Sequence, residues 1–451
     1  MVLTGFLQAQ NCTNLPASWR HPESRTDFLS ADYYAEIARI LEAGKFHLAF
    51  FDDRLAMPDR YGNDHLHAVE HGIRCVKLDP IITLMVMGMA TERLGLGATC
   101  STTYYEPFHV ARLFGTIDLL TGGRAAWNVV TSLNDGEALN MGREAHMEHD
   151  LRYDRADEFM QVVLGHWDTW EDDALILDKA SGRFADGSRV HRLDHVGAFF
   201  RSRGPFTVPR SAQGHPVVIQ AGQSGRGRHF AARWGEIIFN TAADLASGKR
   251  SYAALKQEAE RLGRDPEQMK ICTLVMPICG ETRMQAEDRM EVIKQLPLEI
   301  DALSLLAEAI NFDVSTKGLD EPFTQQELDS ISGLQGIRDR VLAASGKSSP
   351  TVRDFVHYSA RGTVEGAVVG GPREVADFLE EQFTGGVCDG FVVAATHVPG
   401  AYAEFVRWVV PELQRRGLYH LEYEGETLRE NLGLWRPAVG GWRTSVTAPG
   451  G

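Results

Sequence analysis

Asp53, Thr99, Asn128, Ser132 and Ser224 each stand where a short apolar run of the sequence ends. One such residue alone reads as a helix cap or a turn former, because a short polar side chain accepts from the free N–H groups of a helix start. Their recurrence at run after run points to a polar site assembled from strand tips. The segment 98–109, ATCSTTYYEPFH, brings hydroxyls and two tyrosines to one of these tips, a composition that can grip a planar heteroaromatic ring. Thr and Tyr also favour strands on their own account, so this segment weighs equally both ways. The run 221–228, AGQSGRGR, lets backbone approach a ligand closely, and a helix opening there, with Ser224 and Arg226, makes an anion site fit for a phosphate. Its spacing fits neither the dinucleotide fingerprint nor the P-loop.

Three further groups carry chemistry. His146, His149, Arg152 and Tyr153 lie three or four residues apart, so several of them can face one ligand from a helix start, and Arg and Tyr would donate to a phosphate. The plain alternative is a capped, charged helix end. His67, Glu70 and His71 match the HxxEH pattern, in which two His one turn apart bind zinc and the Glu acts as base; this makes a zinc hydrolase the competing reading. The helix it needs is poorly amphipathic, so a solvated face accounts for it better. His21, within WRHP at 19–22, follows the first apolar run and is a candidate neighbour of substrate or of activated oxygen.

These residues need a frame that converges strand tips. Eight apolar runs suit parallel strands buried between helices: 3–7, 46–51, 94–99, 125–130, 217–221, 236–240, 271–278 and 390–395. Between them, 33–43, 81–93, 109–120 and 153–170 carry apolar residues at three- and four-residue spacing. Eightfold alternation predicts an α/β fold of (β/α)8 barrel type, a TIM barrel, with an open doubly wound sheet as competitor; in a barrel the site lies at the C-terminal strand ends. One barrel domain over 1–435 with insertions at 54–79, 171–216 and 281–389, then a tail at 436–451, accounts for the length of 451 residues. The last insertion reads as three helices and as a lid or docking surface.

A net charge of −15 excludes a phosphate-backbone binder and an anionic membrane surface. No apolar run reaches the ~18 residues of a spanning helix and no secretory leader is legible, which predicts a cytoplasmic location. The six cysteines are scattered without a CxxC pair, so neither zinc knuckle nor disulfide scaffold is expected, and the site is read without metal.

Taken together, WRHP at 19–22, GKF at 44–46, the 98–105 segment, GRAAWNVVTS at 123–132, EHDLRYDRADEF at 148–159, IQAGQS at 219–224 and PELQRRGLY at 411–419 are recognisable. Over roughly residues 1–434 the chain resembles the luciferase-like flavin monooxygenases, in the branch holding the nitrilotriacetate, dibenzothiophene sulfone and streptogramin-synthase enzymes. The resemblance implies a noncovalent FMN, used as FMNH2 from a separate NAD(P)H:flavin reductase, and O2-dependent oxidation or cleavage of a small organic substrate by a homodimer or homotetramer. It implies Asp53 and Thr99 beside the isoalloxazine, Asn128 at the ring edge, and His149, Tyr153 and Ser224 with the Gly225 amide at the phosphate. His21 and Asn128 are the catalytic candidates, and Phe6, Trp19, Phe51 and Phe239, with His21, are expected to form an apolar wall. A non-catalytic flavin-binding barrel is the remaining alternative. Arg54 is bulky where relatives often have a small residue. With no cluster of Arg and Lys recognised beside these residues, a sulfone or hydrophobic heteroaromatic substrate is preferred over a polycarboxylate.

Overall fold

The computed structural model describes residues 1–443 apart from 133, 223–224, 243 and 360–361, and the side chain of 335. Its centre is a closed barrel of eight strands: β1 (Val2–Gln8), β2 (Leu48–Asp52), β3 (Gly95–Ser101), β4 (Ala125–Val130), β5 (Val217–Gln220), β6 (Ile237–Asn240), β7 (Lys270–Val275) and β8 (Gly390–Ala394). Each pairs in parallel with its neighbours in chain order, and β8 closes on β1 with Val2 beside Gly390. All eight expected runs are therefore strands. The seventh is shorter than its apolar run, because Pro277 to Cys279 leaves the barrel to pair with Val368–Gly370 in a side sheet.

Alternation of side chains divides the strands between two cores. Val2, Leu48, Phe50, Ala126, Val217, Ile219, Ile237, Cys272 and Val392 fill the barrel. Leu3, Leu7, Ala49, Phe51, Ala98, Trp127 and Val393 point outward into the helical layer. Gly97 leaves little room inside: a Cβ there would lie 3.1 Å from Ile219 and 3.2 Å from Leu48, so those side chains would have to shift.

The surrounding helices include α1 (Ala31–Ala43), α2 (Pro80–Met89), α3 (Pro107–Leu120), α4 (His149–Trp167), α5 (Gly225–Trp234) and α6 (Leu245–Arg261). Ser30 caps α1 and Asp79 caps α2, where Pro80 occupies the first turn and needs no amide partner. The apolar pattern expects α2 to continue to residue 93, yet it stops at Met89. Glu42 of α1 takes the amides of Glu92, Arg93 and Leu94 at 2.8, 2.6 and 3.0 Å, which holds them extended for entry into β3.

The N-terminal end of the barrel is sealed. Leu428, Leu432 and Leu434 pack into the interior from below. Beside them Arg124 spends all five N–H groups on the carbonyls of Thr121, Leu94, Gly88 and Thr91 and on the Thr91 hydroxyl, at 2.9–3.0 Å. Asp118, fully buried, accepts from the Ala125 amide at 2.9 Å, from Gln213 at 2.6 Å and from Ser211.

Among the described residues the 281–389 segment holds six α-helices rather than three helices, among them α7 (Arg283–Lys294) and α8 (Glu299–Ile310). It has its own small core of Leu306, Ile310, Phe323, Val341, Val352 and Phe355. α8 and the turn after it are tied over the C-terminal mouth. Asp301 pairs with Arg20, Glu308 with Arg54 and Asn134, Asn311 with Asp135, and Asp313 takes the Gly62 amide at 2.9 Å.

Candidate active site at the barrel mouth

Three adjacent strand tips form one polar line. Thr99 donates its hydroxyl to the Phe51 carbonyl at 3.0 Å, and the Asn128 amide nitrogen donates to the Thr99 hydroxyl at 2.8 Å. Asn128 is 4 % exposed and its Oδ1, facing inward, has no hydrogen-bond partner among the described residues. A buried carbonyl oxygen without a hydrogen bond costs on the order of 1–3 kcal/mol, so its natural complement is a donor on a ligand edge. Asp53 follows β2 directly. Burial pushes its carboxyl up to about 7, against the pull of Lys77, whose ammonium lies 3.7 Å away. Ser132, just past β4, is held at a φ of 58°, a conformation non-glycine residues seldom adopt, and its hydroxyl lies 2.8 Å from that of Ser101.

The same line runs on to two helix starts. Arg152 of α4 donates to the Ser132 carbonyl at 3.3 Å. One position on, the Tyr153 ring packs at 5.2 Å from His149 and at 5.7 Å from Phe230 of α5, so the N-terminal halves of α4 and α5 adjoin. Gly225 opens α5, and a Cβ built there would meet nothing within 4 Å among the described residues. Arg226 reaches back to Asp154 of α4. Ser224 lies outside the described residues. Thr99 and Asn128 are joined directly and His149 packs on Tyr153, while Asp53 and Gly225 stand at the β2 exit and the α5 start.

The floor differs from expectation. Phe6 stacks on Phe50 at 5.6 Å, and Phe50 meets Phe239 edge-on at 4.7 Å across the barrel. Phe51 is on the other face: it is fully buried against Tyr34 of α1 at 6.1 Å and does not reach the mouth. The sequence reading is off by one residue, and one residue along a strand reverses the side chain. Trp19 is not an apolar wall either. It is 41 % exposed and donates to the His71 carbonyl at 2.8 Å, strapping the 54–79 loop.

His21 occupies the β1–β8 side. Its ring stacks on that of His397 at 3.9 Å in a cleft with Arg289 and Glu404. Burial lowers its pKa, and Nδ1 accepts from the Glu23 amide at 3.1 Å, which leaves the ring proton on Nε2. His397 and Glu404 were missed because neither stands in a legible motif. His67, Glu70 and His71 do bring ligand atoms within 4.8 Å of one another, on a six-residue helix, Leu66–His71, where His67 and Glu70 are exposed.

The lysine and arginines not recognised as a cluster in the sequence also gather here: Arg54, Arg74 and Lys77 line one cleft with Gln10 and Glu308, beside Asp53. The loop 54–79 folds back on the β1 exit, with the Asn11 side chain accepting from Val76 and donating to Gly72, and so brings Arg74 into one cleft with Arg54, twenty positions earlier.

Comparison with known proteins agrees with this architecture. The family model of the luciferase-like monooxygenases matches residues 12–389. The chain is 44 % identical to the dibenzothiophene-sulfone monooxygenase of Rhodococcus erythropolis over 98 % of both chains. It is 38 % identical to nitrilotriacetate monooxygenase component A of Aminobacter aminovorans, covering 96 % of this chain and 95 % of that one. A solved riboflavin lyase, bound to modified FMN and riboflavin, superposes with a TM-score of 0.88 at 31 % identity over the whole of both chains. The chain belongs to the luciferase-like monooxygenase family. It is a flavin-dependent monooxygenase, and neither the zinc hydrolase nor the non-catalytic barrel finds support.

Proposed function

We propose that this chain is the oxygenase of a two-component system, taking FMNH2 from a separate NAD(P)H:flavin reductase and using O2 to oxidise or cleave a small organic substrate. The buried, unpartnered Oδ1 of Asn128 carries the reading, since a flavin ring edge offers the N–H it lacks. The residues present fit the cofactor. Asp53 and Thr99 flank the isoalloxazine, Asn128 meets its edge, and His149, Tyr153 and the Gly225 amide receive the phosphate at the α4 and α5 starts. Bound FMNH2 supplies the oxygen-activating chemistry. The protein supplies a dry floor from Phe6, Phe50 and Phe239 and a donor in His21 Nε2, which can hold a proton toward an oxygen atom at the mouth. The aromatic floor suits a flat apolar body such as a sulfone-bearing heteroaromatic. A cytoplasmic homodimer or homotetramer is the expected form.

The test is an oxygen-electrode assay with FMN, NADH, an unrelated flavin reductase and a panel of sulfones, alkanes, haloaromatics and aminopolycarboxylates. The chain should quench flavin fluorescence, leave NADH untouched on its own, and show substrate-dependent turnover unaffected by chelator. Chelator-sensitive turnover without flavin would overturn the reading.

A further inference from the structure

We propose that the cleft lined by Arg54, Arg74 and Lys77 receives an anionic group of the substrate, a carboxylate, sulfonate or sulfinate, while the apolar body lies on the phenylalanine floor. This specificity site rests on the monooxygenase reading above and deepens it.

The cleft lies between the loop after β2 and α8, adjoining Asp53. Its three cations are incompletely answered. Arg54 meets Glu308 at 3.3 Å, but Glu308 is shared with Asn134. Lys77 stands 3.8 Å from Asp52 and 3.7 Å from Asp53, ion-pair distances too long for hydrogen bonds. Arg74 has no carboxylate within ion-pair reach among the described residues. One of its terminal nitrogens donates to the Asn14 carbonyl and side chain at 3.2 and 3.3 Å, and its Nε is buried with no partner among the described residues.

Holding Arg74 there is costly. Its backbone sits at a φ of 51°, and burial lowers its pKa against the attraction of Asp52, with Arg54 adding repulsion. A strained residue presenting an unanswered cationic donor to a cleft persists when a ligand completes it. The guanidinium offers the planar fork that carboxylates and sulfur oxyanions accept in two places. The FMN phosphate is the rival occupant, although the α4 and α5 starts, which follow β4 and β5, are the proposed place for it.

The test compares two probes of equal size, 2-(phenylsulfonyl)acetate and its carboxamide, by titration calorimetry on protein with and without oxidised FMN. The acetate should bind at least about tenfold tighter, with the advantage shrinking as salt is raised to ~0.5 M. Arg74→Gln and Lys77→Met should each reduce the gap to about twofold while flavin fluorescence quenching stays at the wild-type level, and Arg74→Lys should keep part of it. Lys77→Met, which touches no backbone strain, decides the matter if Arg74→Gln does not fold. Equal or absent binding of the two probes, a gap that survives both substitutions, or a tenfold loss of FMN affinity in Arg74→Gln would overturn the proposal. Failure of wild-type protein to bind FMN sinks the monooxygenase reading instead, because the acetate preference is also measured without flavin.

Discussion

The two ends of the barrel treat buried polarity differently, even though Arg429 Nε at the sealed end also goes without a partner among the described residues. At the sealed end Arg124 uses all five of its donors and Asp118 is answered on both oxygens. At the mouth Asn128 Oδ1 and Arg74 Nε go unanswered, Ser132 and Arg74 are strained, and the Asp53 carboxyl is pushed up. The first pattern is what stability selects and the second is what a ligand completes, so local disagreement with packing rules marks the functional end.

The largest effect should come from the sealed end. Arg124→Leu strands five acceptors in the core and should cost about 3–5 kcal/mol, read as a drop in denaturation midpoint, with a flavin site intact in whatever protein remains folded. Phe51→Ala should follow at ~3–5 kcal/mol by opening a cavity behind β2, whereas Phe50→Ala should move substrate KM first. Equal stability losses with no change in KM for Phe50→Ala would erase the distinction between the two faces. At the mouth, Asn128→Ala should lower kcat/KM by about 100-fold while thermal stability shifts little, the reverse of the Arg124 result.

The smallest effect has a sign set by pH. The folded Asp53 pKa of about 7 lies above its ordinary 3.8, so between these values the folded state binds the extra proton and stability falls as pH rises. Asp53→Asn removes that loss. It should be about 1–2 kcal/mol more stable than wild type at pH 8, indistinguishable at pH 4, and weaker in flavin binding. A variant less stable at both pH values would mean that the Lys77 pairing outweighs burial.

Sequence pattern carried the architecture well because a parallel strand buried on both sides must be apolar throughout, and eight such runs leave few alternatives. The same property hid which face each residue takes. In Phe50-Phe51 nothing in the local pattern says which ring points inward; that follows from barrel closure and from Phe239 across the interior. The end of α2 was illegible because Glu42, fifty residues earlier, dictates it. Arg74 and Lys77 lie in a loop without period, and only the fold-back onto the β1 exit brings them to Asp53. His397 came to the site through its stack on His21, a contact no spacing encodes.

Glu308 grips Arg54 beyond β2 with the same carboxylate that grips Asn134 beyond β4. Two loops on separate strands thereby share one fastening, carried by a helix that belongs to neither. Thermodynamic reciprocity makes the coupling run both ways: whatever steadies the cleft beside Arg54 steadies the approach to Ser132 by the same factor, and a change of α8 retunes both together.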